Sequence, residues 1–256
     1  MSKIEYSADF EKKLEEFIQT KEFKDSECFR IPKVRDLLVL DRFKNIYQSE
    51  LKTINSDSIT GQTILHNSSL ERMFYSEMSA RPDLISKPLS CMNTVMMNAH
   101  KMKVLSVGCR TEAEIFSLVD AGFEVKNITG IDLFSYTPLI ELGDVCDLAY
   151  PSETFDIVIC GWVLEFVTEI EKAVLEIKRV TKPGGFIAIG GMHHPISVDL
   201  EKYNKRKKHE DRKWYASVDN IIKTFKVSNR DCVFKSEIAV ADIDKRGEVV
   251  VIFKRI

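Results

Sequence analysis

No run of apolar residues in this chain approaches the roughly 18–20 needed to cross a bilayer as a helix. Its first residues, MSKIEYSADFEKK, carry too many charges for a secretory leader. Paired cysteines are lacking as well. The six cysteines, at 28, 91, 109, 146, 160 and 232, form no CxxC unit and keep no regular spacing, which argues against a disulfide scaffold and for reduced thiols. Nor does one sign of charge dominate: 37 basic side chains stand against 39 acidic ones, so no overall field favours nucleic acid or an anionic membrane. There is no internal repeat and no low-complexity tract. These absences leave a cytoplasmic, water-soluble protein as the expectation, long enough at 256 residues to bury a substantial core.

What is present is concentrated in residues 103–132, KVLSVGCRTEAEIFSLVDAGFEVKNITGID. Val104, Leu105 and Val107 make a short apolar run of the kind buried on both faces of a parallel sheet. Gly108 ends it. Thr111 and Glu114 have capping-box spacing, Ile115, Phe116, Leu118 and Val119 follow helical spacing, and Gly122 stops the helix. The chain returns through Ile128 and Ile131 to Asp132. A strand, helix and strand with short connections cross over right-handed, so both strands end on one edge. That edge is where open α/β sheets bind ligands, and an acid ending the second strand is placed to accept from a ribose diol.

Residues 1–100 show helical patterns and no strand alternation, with Pro82 and Pro88 dividing the last part into short segments. They are expected to form a helical N-terminal cap, either covering one end of the sheet or supplying part of a substrate pocket. A methionine and aromatic group at 73–75, 78, 92, 96 and 97 reads more simply as core than as a pocket. Residues 101–256 alternate strand and helix: a short strand over 139–142, a strand over 155–161, and a helix with Thr168 and Glu171 at capping-box spacing. A Lys182, Pro183, Gly184, Gly185 turn and a further strand follow. Ser217 is placed to cap another helix, and runs at 232–240 and 248–253 read as a terminal hairpin.

This order of motifs resembles the class I S-adenosylmethionine-dependent methyltransferases: a glycine turn, an acid ending the second core strand, a GD pair after the third, GDVCDLAYPSETFDIVICGWVLEFV, and EIKRVTKPGGFIAIG. The resemblance covers residues 101–256. It implies a Rossmann-like α/β fold, with a seven-stranded mostly parallel sheet and a terminal antiparallel hairpin, and S-adenosyl-L-methionine as cofactor. Carried over residue by residue, it places Gly108, Cys109 and Arg110 beside the methionine part of the cofactor and Asp132 on the ribose, with Leu133 against the adenine. Asp144 and Val145 take the adenine's polar edge, and Cys160, Gly161 and Trp162 the ammonium end. Two departures stand out. Arg110 and Glu112 occupy positions where the family usually has glycine, and a guanidinium at 110 either pairs with the cofactor's carboxylate or is solvated. The segment between Asp132 and Asp144 is too short for the helix usual there.

Methyl transfer from a sulfonium needs orientation above all, and a base only where the acceptor is protonated. The candidates are His193 and His194 after the fifth core strand, and Glu165 after the fourth. No metal is expected, because His193, His194 and Asp199 lack a further ligand. The expected partner is a small-molecule acceptor methylated on oxygen or nitrogen, with a sugar or phosphorylated precursor of a surface polysaccharide as the narrower expectation; a nucleic-acid partner is not expected. The basic stretch EKYNKRKKHEDRKWY, 201–215, is either a solvated face or a contact to a phosphorylated acceptor or RNA. Rival readings are a tRNA or protein methyltransferase and an inactive scaffold.

Overall fold

Val104–Val107 form strand β2 with all four side chains buried, and they pair in parallel with Ile128–Asp132 (β3) on one side and Phe155–Gly161 (β6) on the other. The computed structural model describes residues 51–54, 80–193, 216–237 and 247–256, together with Ala8, Asp9, Lys12, Lys13 and Glu16. Around β2 the sheet has seven strands in the order β5-β3-β2-β6-β7-β9-β8, with β5 at Ile140–Leu142, β7 at Thr181–His193, β8 at Cys232–Ser236 and β9 at Gly247–Lys254. The first five in this order run parallel, while β9 is antiparallel to both β7 and β8. The expected fold class and terminal hairpin are therefore present.

Period-two alternation in the central strands sends side chains to both faces, and each face has its own helices. On one, Leu105, Val158, Ile187 and Val251 meet Val174 and Ile177 of helix α4 (Ile170–Val180) and Ile221 and Phe225 of α5 (Val218–Phe225). On the other, Val104, Ile157, Ala188 and Ile252 meet Ile85 and Leu89 of α1 (Ala80–Ser90) and Ile115 and Leu118 of α3 (Glu112–Asp120). Between α1 and α3 lies the short helix α2, Asn93–Asn98. Each fully buried aliphatic side chain contributes about 1.5–3 kcal/mol. Double-sided burial is why these strands read as unbroken apolar runs.

Several local expectations need correction. Pro82 and Pro88 do not divide their segment, since both lie within α1. Pro82 falls in the first turn, where its missing N–H has no intrahelical acceptor, and Pro88 near the last. Ile85 and Leu89, almost wholly buried, hold the helix to the core. At α3 the Thr111 side chain accepts from the Ala113 N–H, and the Glu114 carboxyl is engaged by Ser106. At α4 the cap residue is Glu169 with no side-chain cap bond, so Thr168 plays no such part. Ser217 does cap α5, its Oγ accepting from the Asn220 N–H at 3.1 Å. The Lys182-to-Gly185 turn is an irregularity inside β7: register passes from Phe155↔Thr181 to Ile157↔Phe186.

No helix stands between Asp132 and Asp144, as its shortness implied. The chain forms Phe134–Ser135 (β4), paired antiparallel with Lys52–Thr53 (β1), and the Ile54 N–H donates to the Leu133 carbonyl at 3.0 Å. A piece of the N-terminal part thus lies beside the end of β3, as a strand where helix was expected. The residues 10–18, 34–43, 73–75, 78 and 201–215 that carried other expectations lie mostly or wholly outside the described residues. Of the methionines among the described residues, Met96 and Met97 are exposed rather than core.

Candidate functional site

Because β2, β3, β5, β6 and β7 run parallel, their carboxyl ends open on one edge, and the loops there are bonded to one another. Gly108 leaves β2 at φ +67°, and its N–H donates to the Ile131 carbonyl at 2.7 Å. A Cβ at this position would sit 2.2 Å from Cγ2 of Val163, so glycine is required by both conformation and contact. Two residues on, the Arg110 N–H donates to Oδ2 of Asp132 at 2.8 Å, and the Leu133 N–H donates to Oδ1 at 2.7 Å. The Asp132 carbonyl in turn accepts from Gly143 at 2.9 Å, immediately before Asp144. Asp132 is thus the joint between the tips of β2, β3 and β5.

Burial pushes the Asp132 carboxyl up to about 6, against the lowering effect of the N–H groups and the Arg110 guanidinium. The Arg110, Leu133 and Phe134 N–H groups all act on this carboxylate, whose two oxygens together offer about four acceptor positions. Asp144, half-buried, accepts from the Cys146 N–H at 2.8 Å through Oδ1.

The two residues in place of glycine are accommodated differently. Arg110 adopts φ +56°, the left-handed region, at a cost of about 1–2 kcal/mol for a residue with a Cβ. Glu112 is wholly buried and extends toward the segment after β3: Thr137 Oγ1 donates to its Oε1 at 2.5 Å, and its N–H donates to the Tyr136 hydroxyl at 3.3 Å. Tyr136 and Thr137 belong to the short connection that replaces a helix, so both departures from the family pattern meet in one contact.

At the end of β6, Trp162 follows the strand at φ +58°. Its N–H donates to the Gly190 carbonyl at 2.8 Å, its indole N–H donates to Glu248 Oε2, and the Arg81 guanidinium lies 5.3 Å above the ring. Arg81 also pairs with Glu248 at 3.3 Å. Ile85 of α1 reaches to 3.2 Å from where Cβ atoms of Gly161 and Gly190 would stand. Helix α1 therefore closes over the ends of β6 and β7.

The candidate residues fall into three groups. Gly108, Arg110, Asp132, Leu133 and Asp144 are brought together as described. The side chains of Val145 and Cys160 are buried in the core, and Cys109 packs its thiol 3.8 Å from the Ile131 carbonyl; burial raises the thiols of Cys109 and Cys160 and makes them poor nucleophiles. Glu165 is buried and accepts the Met192 N–H, joining the loop after β6 to β7. His193 is half-buried at the end of β7, while His194 lies outside the described residues. Sequence reading missed Ser106, Arg81 and Glu248. Arg81 and Glu248 stand 167 positions apart and leave no local signal.

Residues 105–189 match the family model described as a methyltransferase domain. Among curated proteins, the chain is 30% identical over 117 residues to the demethylmenaquinone methyltransferase of Desulfitobacterium hafniense, covering 40% of this chain and 43% of that one. It is 36% identical over 63 residues to the 2-phytyl-1,4-naphtoquinone methyltransferase of Synechococcus elongatus, covering 25% and 27%. The chain spans less than half the length of these curated relatives. Among solved structures, the N-methyltransferase NodS of Bradyrhizobium japonicum, in complex with S-adenosyl-L-homocysteine, shares the fold at TM-score 0.51 and 16% identity, over 78% of this chain and 99% of that one. The strand order and the domain match agree: residues 105–189 match a methyltransferase domain, on a fold shared with a solved N-methyltransferase.

Proposed function

We propose that this protein transfers a methyl group from S-adenosylmethionine to an oxygen or nitrogen of a small metabolite. The observation that carries the reading is the joint at Asp132, where a half-buried carboxylate with spare acceptor capacity lies between the first loop and the tips of β3 and β5. That donor set suits an adenosyl amino acid. Asp132 accepts from the ribose hydroxyls, Leu133 flanks the adenine, and Asp144 with the Val145 backbone addresses its polar edge. Gly108, Cys109 and Arg110 run along the amino-acid part, the first two through backbone. Gly161, Trp162 and the Cys160 backbone bound the far end.

The cofactor supplies a methyl group on a good leaving group. The chain's task is to orient the acceptor and exclude water. His193, at the end of β7, is the residue assigned to taking a proton from a hydroxyl or ammonium acceptor. Glu165 acts as a positioning residue, because its carboxylate holds the Met192 backbone next to His193. A small acceptor is favoured by the relatives named for quinone substrates; a sugar or phosphorylated polysaccharide precursor is a narrower form of the same reading.

The test is calorimetry and thermal shift with S-adenosylhomocysteine, followed by turnover of labelled S-adenosylmethionine against hydroxyl, amine and phosphorylated small molecules. Binding with turnover of one acceptor class is expected. No heat and no shift at millimolar ligand would sink the reading.

A further inference from the structure

Five side chains with polar groups are buried where the first loop meets the connection from β3 to β5: Thr111 and Glu112 from the one, Ser135, Tyr136 and Thr137 from the other. The Thr137 hydroxyl donates to Oε1 of Glu112 at 2.5 Å, and the Glu112 N–H donates to the Tyr136 hydroxyl at 3.3 Å. Ser135 Oγ donates to the carbonyl of Ile140, the first residue of β5, at 2.6 Å. Leu139 packs on Ala113 and Phe116 of α3. Buried polar groups are costly unless each finds a partner, so a group bonded in this way fixes the two segments against each other.

The same two segments carry the joint at Asp132. Arg110, whose N–H donates to Oδ2, stands just before Glu112 in the first loop, and Leu133, whose N–H donates to Oδ1, leads into the connection that holds Thr137. The Phe134 N–H also acts on this carboxylate. The Arg110–Asp132 and Glu112–Thr137 bonds therefore close a ring of chain: from Arg110 to Glu112, across to Thr137, back to Asp132 and across again. One bond would leave the segments free to pivot about it. Two at separate points set their relative orientation.

We propose that Glu112 is a positioning residue for cofactor binding: through the Thr137 hydroxyl it braces the connection after β3 against the first loop, and so fixes the N–H groups that orient the Asp132 carboxylate. This rests on the methyltransferase reading and deepens it by assigning Glu112 a part at the ribose end of that site. The connection has no helix of its own to stiffen it, and the buried acid supplies the stiffness from the other side. A binding group must be held to within about 0.5 Å of its productive geometry, which takes hydrogen bonds behind it as well as contacts to the ligand.

The test is a double-mutant cycle on the full chain, read by calorimetry with S-adenosylhomocysteine, with urea unfolding on the same samples to establish that each variant is folded during titration. Thr137→Val keeps the shape and loses the hydroxyl, and should bind about three- to tenfold more weakly than wild type. Thr137→Ser keeps the hydroxyl and should bind within about twofold of wild type. In an Asp132→Ala background, Thr137→Val should cost less than about twofold, because the group it helps to orient is gone. An equal loss in both backgrounds, a loss in Thr137→Ser as large as in Thr137→Val, or no loss in Thr137→Val would each overturn the assignment. Should Thr137→Val not fold, Glu112→Asp takes its place in the cycle with the same outcomes, since it keeps the acid but is one methylene too short to reach Thr137. Wild type that does not bind S-adenosylhomocysteine would remove the methyltransferase reading and this assignment together; wild-type binding with additive losses would remove the assignment alone.

Discussion

The backbone N–H of Arg110 donates to the carboxylate of Asp132 at 2.8 Å, joining residues 22 apart in sequence. At the same residue the backbone takes φ +56°, the left-handed region. A residue where glycine is usual has kept a glycine's conformation, at a cost of about 1–2 kcal/mol. Strain of this kind persists where surrounding structure holds it, and here it lies beside the proposed ligand.

Replacing Asp132 by Ala should weaken S-adenosylhomocysteine binding by about 1–3 kcal/mol, the loss expected when ligand hydroxyls and the backbone N–H groups around them give up their acceptor. Calorimetry measures it. Affinity equal to wild type would place the ribose elsewhere.

Gly108→Ala and Arg110→Gly should act on stability in opposite directions. The alanine Cβ meets Val163 at 2.2 Å in a left-handed conformation, so the urea midpoint should fall, by about 1–3 kcal/mol of unfolding free energy. Arg110→Gly relieves the strain at φ +56° and should raise stability by up to about 1 kcal/mol while lowering cofactor affinity. Undiminished affinity in Arg110→Gly would mean that the guanidinium makes no contact with the ligand.

His193→Asn should lower kcat on the responsive acceptor by about tenfold or more while the affinity for S-adenosylhomocysteine stays within about twofold. Equal losses of both, or no loss of either, would take His193 out of the acceptor's path.

Stability in the absence of ligand should fall as pH rises. Asp132 goes from an ordinary 3.8 to about 6 on folding, and Glu114 from 4.5 to about 7, so the folded protein holds protons that the unfolded chain releases. The stabilisation is complete below about pH 4 and is lost as pH rises through 6 to 7. Thermal melting of wild type should therefore drop relative to Glu114→Gln between pH 5 and 7.5. A constant difference across that range would show that the Glu114 carboxyl is not raised.

The sheet was legible because it is buried on both faces. Val104, Leu105 and Val107, and the run from Phe155 to Gly161, have no solvent face to break their apolar pattern. Asp132 could be named because an acid at the end of a strand is a local feature. Where side chains are claimed by distant partners, local reading failed. The Thr111 and Glu114 pair had the spacing of a cap, yet Ser106 competes for the acid. Pro82 and Pro88 looked like breaks, yet the burial of Ile85 and Leu89 outweighs the lost bond. The Arg81, Trp162 and Glu248 cluster joins three separate parts of the chain and has no signature in any one of them.

By itself, the sequence determined the order of strands and helices, the edge on which the parallel strands end, and the acids that end them. These follow from periodicity, turn chemistry and chain reach, which act over a few residues. Tertiary structure alone decided how the first loop accommodates Arg110 and Glu112, which thiols are withdrawn into the core, and that Glu114 faces inward beside Asp132. Those outcomes depend on desolvation and on hydrogen bonds between residues far apart in sequence, whose free energies exist only once the surfaces have met.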